Sequence, residues 1–422
     1  MRPYCIDDLE ITPEIRGRND WKKFSFPVPY GIFTRIRWRG YEFDFSLRGH
    51  LKRISGNGTV WPNPLERMKR TDGNDLLYYG MDGYENTYDL IKNYYVPHNE
   101  IYESPLFQEA PFEDSHVKKA LSAFDLFVKR ARDIAASEVN GETRSLLEKV
   151  AALDRQALAT EGEKLHRIMD GSFPILPPDT THVDYEVIPL RVMDGCPHRC
   201  GFCRFKADKN CRIRSRESII EQLQSLKSLY GEDLINYNSL VLGENNALAA
   251  GIDLLEFSAE KALGILSLAN SFHSGDPNLF LFGSVDLFLK TEESAFERLN
   301  SLPYNLYLNI GFESPDDGTL NSIGKTLTGP MVREAFHRAL HINRNYSRVN
   351  ITGNFVLGNS LPPQHVEQLK ILLSGVSPRQ EKGTVYLSPL IGASERRQIL
   401  KEFREIKRAS LLPVYLYLMQ RL

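Results

Sequence analysis

The chain has 422 residues, with 52 Lys and Arg against 54 Asp and Glu, a formal net charge of −2, and 42% hydrophobic residues. That is the balance of an ordinary water-soluble protein, long enough for two domains or one barrel with an extension, and too near neutral for a general nucleic-acid binder, which relies on clustered Lys and Arg. No apolar run approaches the roughly 20 residues that span a bilayer. The first residues also lack the charged-then-apolar pattern of a secretory leader, so a cytoplasmic protein with no membrane partner is expected.

The first readable element is a hairpin. Phe33-Thr34-Arg35-Ile36-Arg37-Trp38 and Tyr41-Glu42-Phe43-Asp44-Phe45 alternate with period two around Arg39-Gly40, and a two-residue loop ending in Gly suits a tight turn. Folded there, Trp38 faces Tyr41, Ile36 faces Phe43, Arg37 faces Glu42 and Arg35 faces Asp44. One face is then apolar and the other carries opposite charges, which favours a paired surface over an anion-binding arginine stripe. A third strand is expected over residues 50–55. Two amphipathic helices follow, over 115–137 and 142–169, with Leu121, Phe124, Leu126 and Phe127 marking the apolar side of the first and Leu146, Leu147, Val150, Leu153 and Leu158 that of the second. Asp170-Gly171 and the Pro-containing stretch 174–181 end helical structure. The expected organisation is an N-terminal α+β module over 1–172 that binds substrate or partner, a linker over 173–184, and a second domain over 185–422.

In that second domain, strands are expected at 185–192, 239–243, 279–284, 306–312, 350–357 and 384–387, alternating with helices at 217–230, 253–269, 292–302, 329–343, 363–373 and 394–410. Six strand–helix repeats imply parallel pairing with helices outside, and right-handed crossovers curl such a sheet toward a barrel. With six repeats rather than eight, the barrel stays incomplete. Ligands then bind at the C-terminal ends of the strands.

The loop after the first of these strands carries the chemistry. Gly195-Cys196-Pro197-His198-Arg199-Cys200-Gly201-Phe202-Cys203 holds three of the five cysteines with C-x3-C-x2-C spacing. Three thiolates can hold three irons of a [4Fe–4S] cluster and leave the fourth open. A structural zinc site is the alternative, with Cys211 or His198 as fourth ligand, although the sequence has no second separated Cys pair. Cys5 and Cys211 read as inert cysteines, and His198 is left outside the metal set.

With Phe202 directly before the third cysteine, this motif resembles that of the radical S-adenosylmethionine (SAM) superfamily. The resemblance covers roughly residues 185–422. It implies a partial (β/α)6 barrel, with Cys196, Cys200 and Cys203 as cluster ligands and as the catalytic centre. It implies two cofactors, a [4Fe–4S] cluster and S-adenosylmethionine. It also implies reductive cleavage of SAM to a 5′-deoxyadenosyl radical that abstracts hydrogen from a substrate, and an electron donor such as flavodoxin or ferredoxin.

The SAM contacts are carried over position by position. Leu242-Gly243-Glu244-Asn245 stands where the family usually has Gly-Gly-Glu, so Gly243, Glu244 and Asn245 are expected at the methionyl amino group; a plain strand-end turn is the other reading. Gly311-Phe312-Glu313-Ser314-Pro315 is similar to a Gly-Leu-Glu-Ser-Gly stretch in the branch containing the Elongator catalytic subunit and oxygen-independent coproporphyrinogen dehydrogenase. Glu313 and Ser314 are therefore expected near the ribose, with Pro315 departing from the usual Gly. Ser284 and Asn354 are expected to face the same cavity, and Phe202 either lies against the adenine or only packs. Asp316 and Asp317 read as helix caps. A second cysteine trio upstream and cysteines after Cys211 are both absent from the sequence, which argues against methylthiotransferase-type and auxiliary-cluster members. A small molecule or peptide is the expected substrate. An RNA-modifying enzyme and a zinc-stapled binding protein remain as alternatives.

Overall fold

The computed structural model describes residues 2–20, 29–61, 67–73, 76–81, 93–97, 111–171, 186–198, 200–202, 211–243, 246–376, 380–390 and 395–416. The N-terminal module is an eight-stranded antiparallel meander: β1 (Tyr4–Ile6), β2 (Leu9–Arg16), β3 (Ile32–Trp38), β4 (Tyr41–Phe45), β5 (Leu51–Gly56), β6 (Arg67–Arg70), β7 (Leu76–Met81) and β8 (Asn93–Pro97), hydrogen-bonded in that order. The β3–β4 register pairs Trp38 with Tyr41, Arg37 with Glu42, Ile36 with Phe43 and Arg35 with Asp44, as the alternation requires. Arg39 and Gly40 both take positive φ, 50° and 82°, which a type I′ turn demands.

Behind the apolar face lies α1 (Ser115–Ala135), whose Phe127 ring stacks on Phe43 at 4.7 Å between centroids; Leu126, expected on the same side, is instead 48% exposed, because the helical turn carries it away from the stripe of Leu121, Phe124 and Phe127. The expected second helix is two, α2 (Gly141–Ala151) and α3 (Arg155–Ile168). Asp154 breaks it by accepting a 3.0 Å bond from the Ala157 amide as an N-cap, a role that outweighs the continuing apolar period.

The second domain runs β9 (Ile188–Leu190), a short ribbon of β10 (Met193–Asp194) and β11 (Arg212–Ile213), α4 (Arg216–Tyr230), β12 (Ser239–Leu242), α5 (Ile252–Ile265), β13 (Asn278–Ser284), α6 (Val285–Lys290), α7 (Glu293–Ser301), β14 (Asn305–Glu313), α8 (Asp317–Ser322), α9 (Gly329–Asn345), β15 (Val349–Leu357), α10 (Gln364–Ser374), β16 (Val385–Pro389), α11 (Arg396–Ala409) and β17 (Val414–Leu416). Strands β9, β12, β13, β14, β15, β16 and β17 pair in parallel in chain order, with the helices between them. This is the partial α/β barrel expected from the strand–helix alternation, extended by a seventh short strand. Amphipathicity holds the helices to it: in α11, Ile399, Phe403 and Ile406 are buried at i, i+4 and i+7 in an otherwise charged helix.

The module sits on the N-terminal ends of the barrel strands. Lys52 Nζ reaches Glu186 Oε1 at 3.1 Å and Asp72 Oδ1 at 3.0 Å, Tyr237 donates its hydroxyl to Asp72, and the Ser46 hydroxyl and Leu47 amide donate to Asp233 at 2.7 and 2.8 Å. Asn236 bonds both the amide and the carbonyl of Ile32, at 2.7 and 2.9 Å.

Candidate functional site at the barrel mouth

The cysteine loop leaves β9 and is closed at its base by the β10–β11 ribbon, where Asp194 pairs with Arg212. Asp194 is buried yet ionised. Burial alone would raise its pKa, but Arg214 and Arg212 at its two oxygens pull it below the usual carboxylate range. Gly195 turns the chain into the loop with φ 70°. Cys196 and Cys200 follow as half-buried thiols; Cys203, the third ligand position, lies outside the described residues.

Two contacts seat the loop. His198 Nε2 is 3.2 Å from both Ser284 Oγ and Asp286 Oδ1, at the junction of β13 and α6. Burial pushes the Asp286 pKa up, and the Ser284 hydrogen bond and His198 outweigh it, so its carboxylate stays charged opposite the ring. Ser284 is itself held by Asn246, whose Nδ2 donates to Ser284 Oγ at 3.0 Å and whose Oδ1 accepts from the Ser284 amide at 3.2 Å. The second contact is backbone on backbone: Gly201 lies against Gly324, where a Cβ would come within 3.2 Å of the Gly201 nitrogen.

Gly324 ends α8 with φ 70°, and the Lys325 amide bonds back to the Leu320 carbonyl at 2.9 Å. This helix-stopping turn returns the chain toward the end of β14. There Lys325 Nζ meets Glu313 Oε1 at 3.1 Å, both side chains about nine-tenths buried, and lies 5.8 Å from the Phe202 ring centroid. Burial alone would lower the Lys325 pKa, but Glu313, Cys200 and Cys196 outweigh it and keep the ammonium charged. Glu313 sits at a register shift between β14 and β15 with φ 61°, a left-handed conformation rare outside glycine that aims its carboxylate sideways from the strand.

Ser314, by contrast, is fully buried. His365 donates from Nε2 to the Val356 carbonyl at 2.7 Å, so its Nδ1 accepts from Ser314 Oγ at 2.8 Å, and Ser314 accepts from the Asp316 amide at 3.0 Å. The Ser314 hydroxyl is thereby engaged within the fold. Asp316 caps α8 through the Thr319 amide at 2.7 Å, as its sequence position suggests.

The interior face follows from register, since partners in a parallel ladder point the same way. Phe312 packs outward on Phe336 of α9, so its alternates Asn309 and Gly311 face inward. Ser284, Gly311, Asn354 and Tyr386 then form one row at the mouth, and Phe282, Asn309 and Thr352 the row beneath. Asn309 is 6% exposed, and neither of its amide atoms has a hydrogen-bond partner among the described residues. An orphaned buried amide costs about 1–3 kcal/mol, and in a native fold it calls for an explanation.

Of the residues expected at the site, the fold gathers Cys196, Cys200, Phe202, Ser284, Glu313 and Asn354 around the mouth. It also puts Gly243 at the end of β12, with φ 74° and its amide on the Leu190 carbonyl. Glu244 and Asn245 lie outside the described residues. Sequence reasoning missed Lys325, brought in by a turn no local pattern marks, and Asn309, which was visible as a polar residue inside an apolar strand.

Residues 190–373 match the family model of the radical SAM superfamily. No curated protein sequence matches the chain. Similar solved structures include a radical SAM methyltransferase from Sphaerobacter thermophilus, at 16% identity over 57% of this chain and 68% of that one with a TM-score of 0.41. The FeFe-hydrogenase maturase HydG from Carboxydothermus hydrogenoformans is similar at 12% identity, over 71% and 76%, with a TM-score of 0.36. Coproporphyrinogen III oxidase (HemN) from Escherichia coli, a radical SAM enzyme, gives 13% identity over 61% of this chain and 56% of that one, with a TM-score of 0.33.

Proposed function

We propose that this chain, an enzyme whose barrel belongs to the radical SAM superfamily, uses its cysteine loop to initiate hydrogen abstraction from a small-molecule or peptide substrate. The observation that carries this reading is the seat of the loop: two half-buried thiols at the C-terminal mouth of a parallel barrel, beside a buried, charged Lys325–Glu313 pair. Thiolates on one short loop suit an iron–sulfur cluster, and the ammonium of Lys325 offsets negative charge gathered there. Cys196, Cys200 and Cys203 would hold a [4Fe–4S] cluster. When bound, the cluster supplies the electron that cleaves SAM reductively and so provides the hydrogen-abstracting 5′-deoxyadenosyl radical.

The chain's own residues then hold and orient. His198, anchored on Ser284 and Asp286, fixes the loop between its first two cysteines. Glu313 offers a carboxylate to hydroxyls at the mouth, Gly243 ends β12 where the amino group is expected, with Glu244 and Asn245 following it in sequence, and Phe202 and Asn354 flank the same space. Ser314 acts from behind, by fixing the backbone after Glu313 through His365 and Asp316. Asn309, with one donor group and one acceptor unspent inside the barrel, suits a substrate bearing a peptide group or carboxamide. A flavodoxin or ferredoxin is the expected electron source.

The test is anaerobic. The protein is reconstituted with iron and sulfide, reduced with dithionite, given SAM, and assayed for 5′-deoxyadenosine against a Cys196/Cys200/Cys203→Ala control. Product above that control supports the reading; a colourless protein with one tightly bound zinc would sink it.

A further inference from the structure

Inside the barrel, β14 carries a side chain the fold does not use. Its register partners Phe282 and Thr352 place Asn309 in the inward row beneath the mouth, almost fully buried. A carboxamide brings an NH2 donor group and a carbonyl acceptor, and among the described residues neither is met at Asn309. The strand does not need it, since the neighbouring Leu308 and Ile310 are fully buried and supply apolar packing. An apolar residue of similar volume would spare the fold the cost of an orphaned amide, so the use of the amide lies in what it can bind.

The surroundings say what kind of group fits. One row deeper, the Phe280 and Tyr307 rings stack at 5.2 Å with their planes 16° apart, closing the space below Asn309 with aromatic surface. One row higher stands Gly311, where a Cβ would lie 2.7 Å from Glu313 Oε1 and 3.6 Å from Lys325 Nζ. The Lys325–Glu313 pair therefore lies over the next inward position, roughly 7 Å along the strand at 3.3 Å per residue. A group held by Asn309 sits between that pair and the aromatic base.

We propose that Asn309 selects the substrate, by pairing with a planar group that presents an N–H and a C=O side by side, as a primary carboxamide or a ring lactam does. This rests on the reading of the barrel mouth given above and narrows its substrate. Donor and acceptor of Asn309 are spent together only on a partner whose own acceptor and donor share one edge, through two parallel hydrogen bonds. A main-chain peptide group is trans, with its N–H and C=O pointing in opposite directions, so it meets one half of Asn309 and leaves the other orphaned. A site built to pair a buried donor and acceptor rejects partners that supply only one of them.

The experiment is a saturation-transfer NMR titration of the full-length chain with benzamide, 2-pyridone and acetanilide. These carry a primary carboxamide, a ring lactam and a trans amide on rings of similar size. Saturable binding of benzamide or 2-pyridone is expected, with acetanilide weaker by about tenfold or more, and the tighter of the first two identifies the form of the group. In Asn309→Leu the preference over acetanilide should vanish, a change in selectivity that a purely structural side chain would not produce. No saturable binding of benzamide or 2-pyridone, acetanilide binding as tightly as either, or an unchanged preference in Asn309→Leu overturns the proposal. Should leucine not be accommodated, Asn309→Ala makes the same test, with circular dichroism as the check on folding. Binding is read without SAM cleavage, so its failure is distinguishable from a failure to form 5′-deoxyadenosine.

Discussion

Replacing Glu186 by Gln should change how stability depends on pH, in a direction and size the structure fixes. Glu186 is 5% exposed at the joint between module and barrel. Burial first, and then the charge of Asp72, push its pKa from 4.5 to about 7, with Lys52 and Lys69 pulling the other way. Asp72 is held well below its ordinary value because Lys52 and His50 outweigh its burial, so Glu186 is the carboxyl of the pair that keeps its proton. A group with a raised folded-state pKa favours the fold fully below its unfolded value, and loses that contribution as pH climbs through the folded value. The window is therefore pH 4.5 to 7. A rise of between two and three units at 1.36 kcal/mol each corresponds to about 3 kcal/mol lost across it. Glutamine mimics the protonated acid and cannot ionise, while Asp72 remains to pair Lys52. Urea unfolding of wild type and Glu186→Gln at pH 5, 6, 7 and 8 should show the variant gaining on wild type by about 2–3 kcal/mol between the extremes. Parallel pH profiles for the two proteins would refute the assignment of the proton to Glu186.

Further outcomes are expected at the mouth. Cys196→Ala and Cys200→Ala, with Cys203→Ala, should each lose bound iron and 5′-deoxyadenosine formation, whereas Cys211→Ala should retain iron on elemental analysis. Lys325→Met leaves the Glu313 carboxylate buried beside an apolar side chain. It should destabilise the protein by about 3–5 kcal/mol in urea unfolding, and Lys325→Arg should recover most of that. Asn309→Leu removes an unsatisfied buried amide, so its melting temperature should rise while substrate-coupled turnover falls; a drop in melting temperature would mean the amide serves the fold.

What the sequence revealed and what it hid divide along local and distant causes. The β3–β4 hairpin was legible to the residue, because alternation, the Arg39-Gly40 turn and charge pairing all act within a dozen residues. The barrel strands were legible because apolar runs alternate with helical periods, and the Asp316 cap because capping is local. Strand β6 was not: Arg67-Met68-Lys69-Arg70 reads as a solvated charge run, and only the neighbouring β5 and the barrel floor give it a place. Three-residue β17 is too short for any pattern. Ser314 has the right residue type for a ligand contact, but a histidine 51 positions away takes its hydroxyl. Lys325 becomes part of the site only through the α8 turn.

The touching glycines also set how a disturbance travels. With no side chain between them, Gly201 and Gly324 transmit displacement rather than absorb it, because a rigid peptide plane meets another rigid peptide plane. The cysteine loop and the turn bearing Lys325 therefore behave as one mechanical piece. A reporter attached near α8, far in sequence from any cysteine, would register the filling of the loop. An alanine at 324 would pry the two apart without altering a single charge.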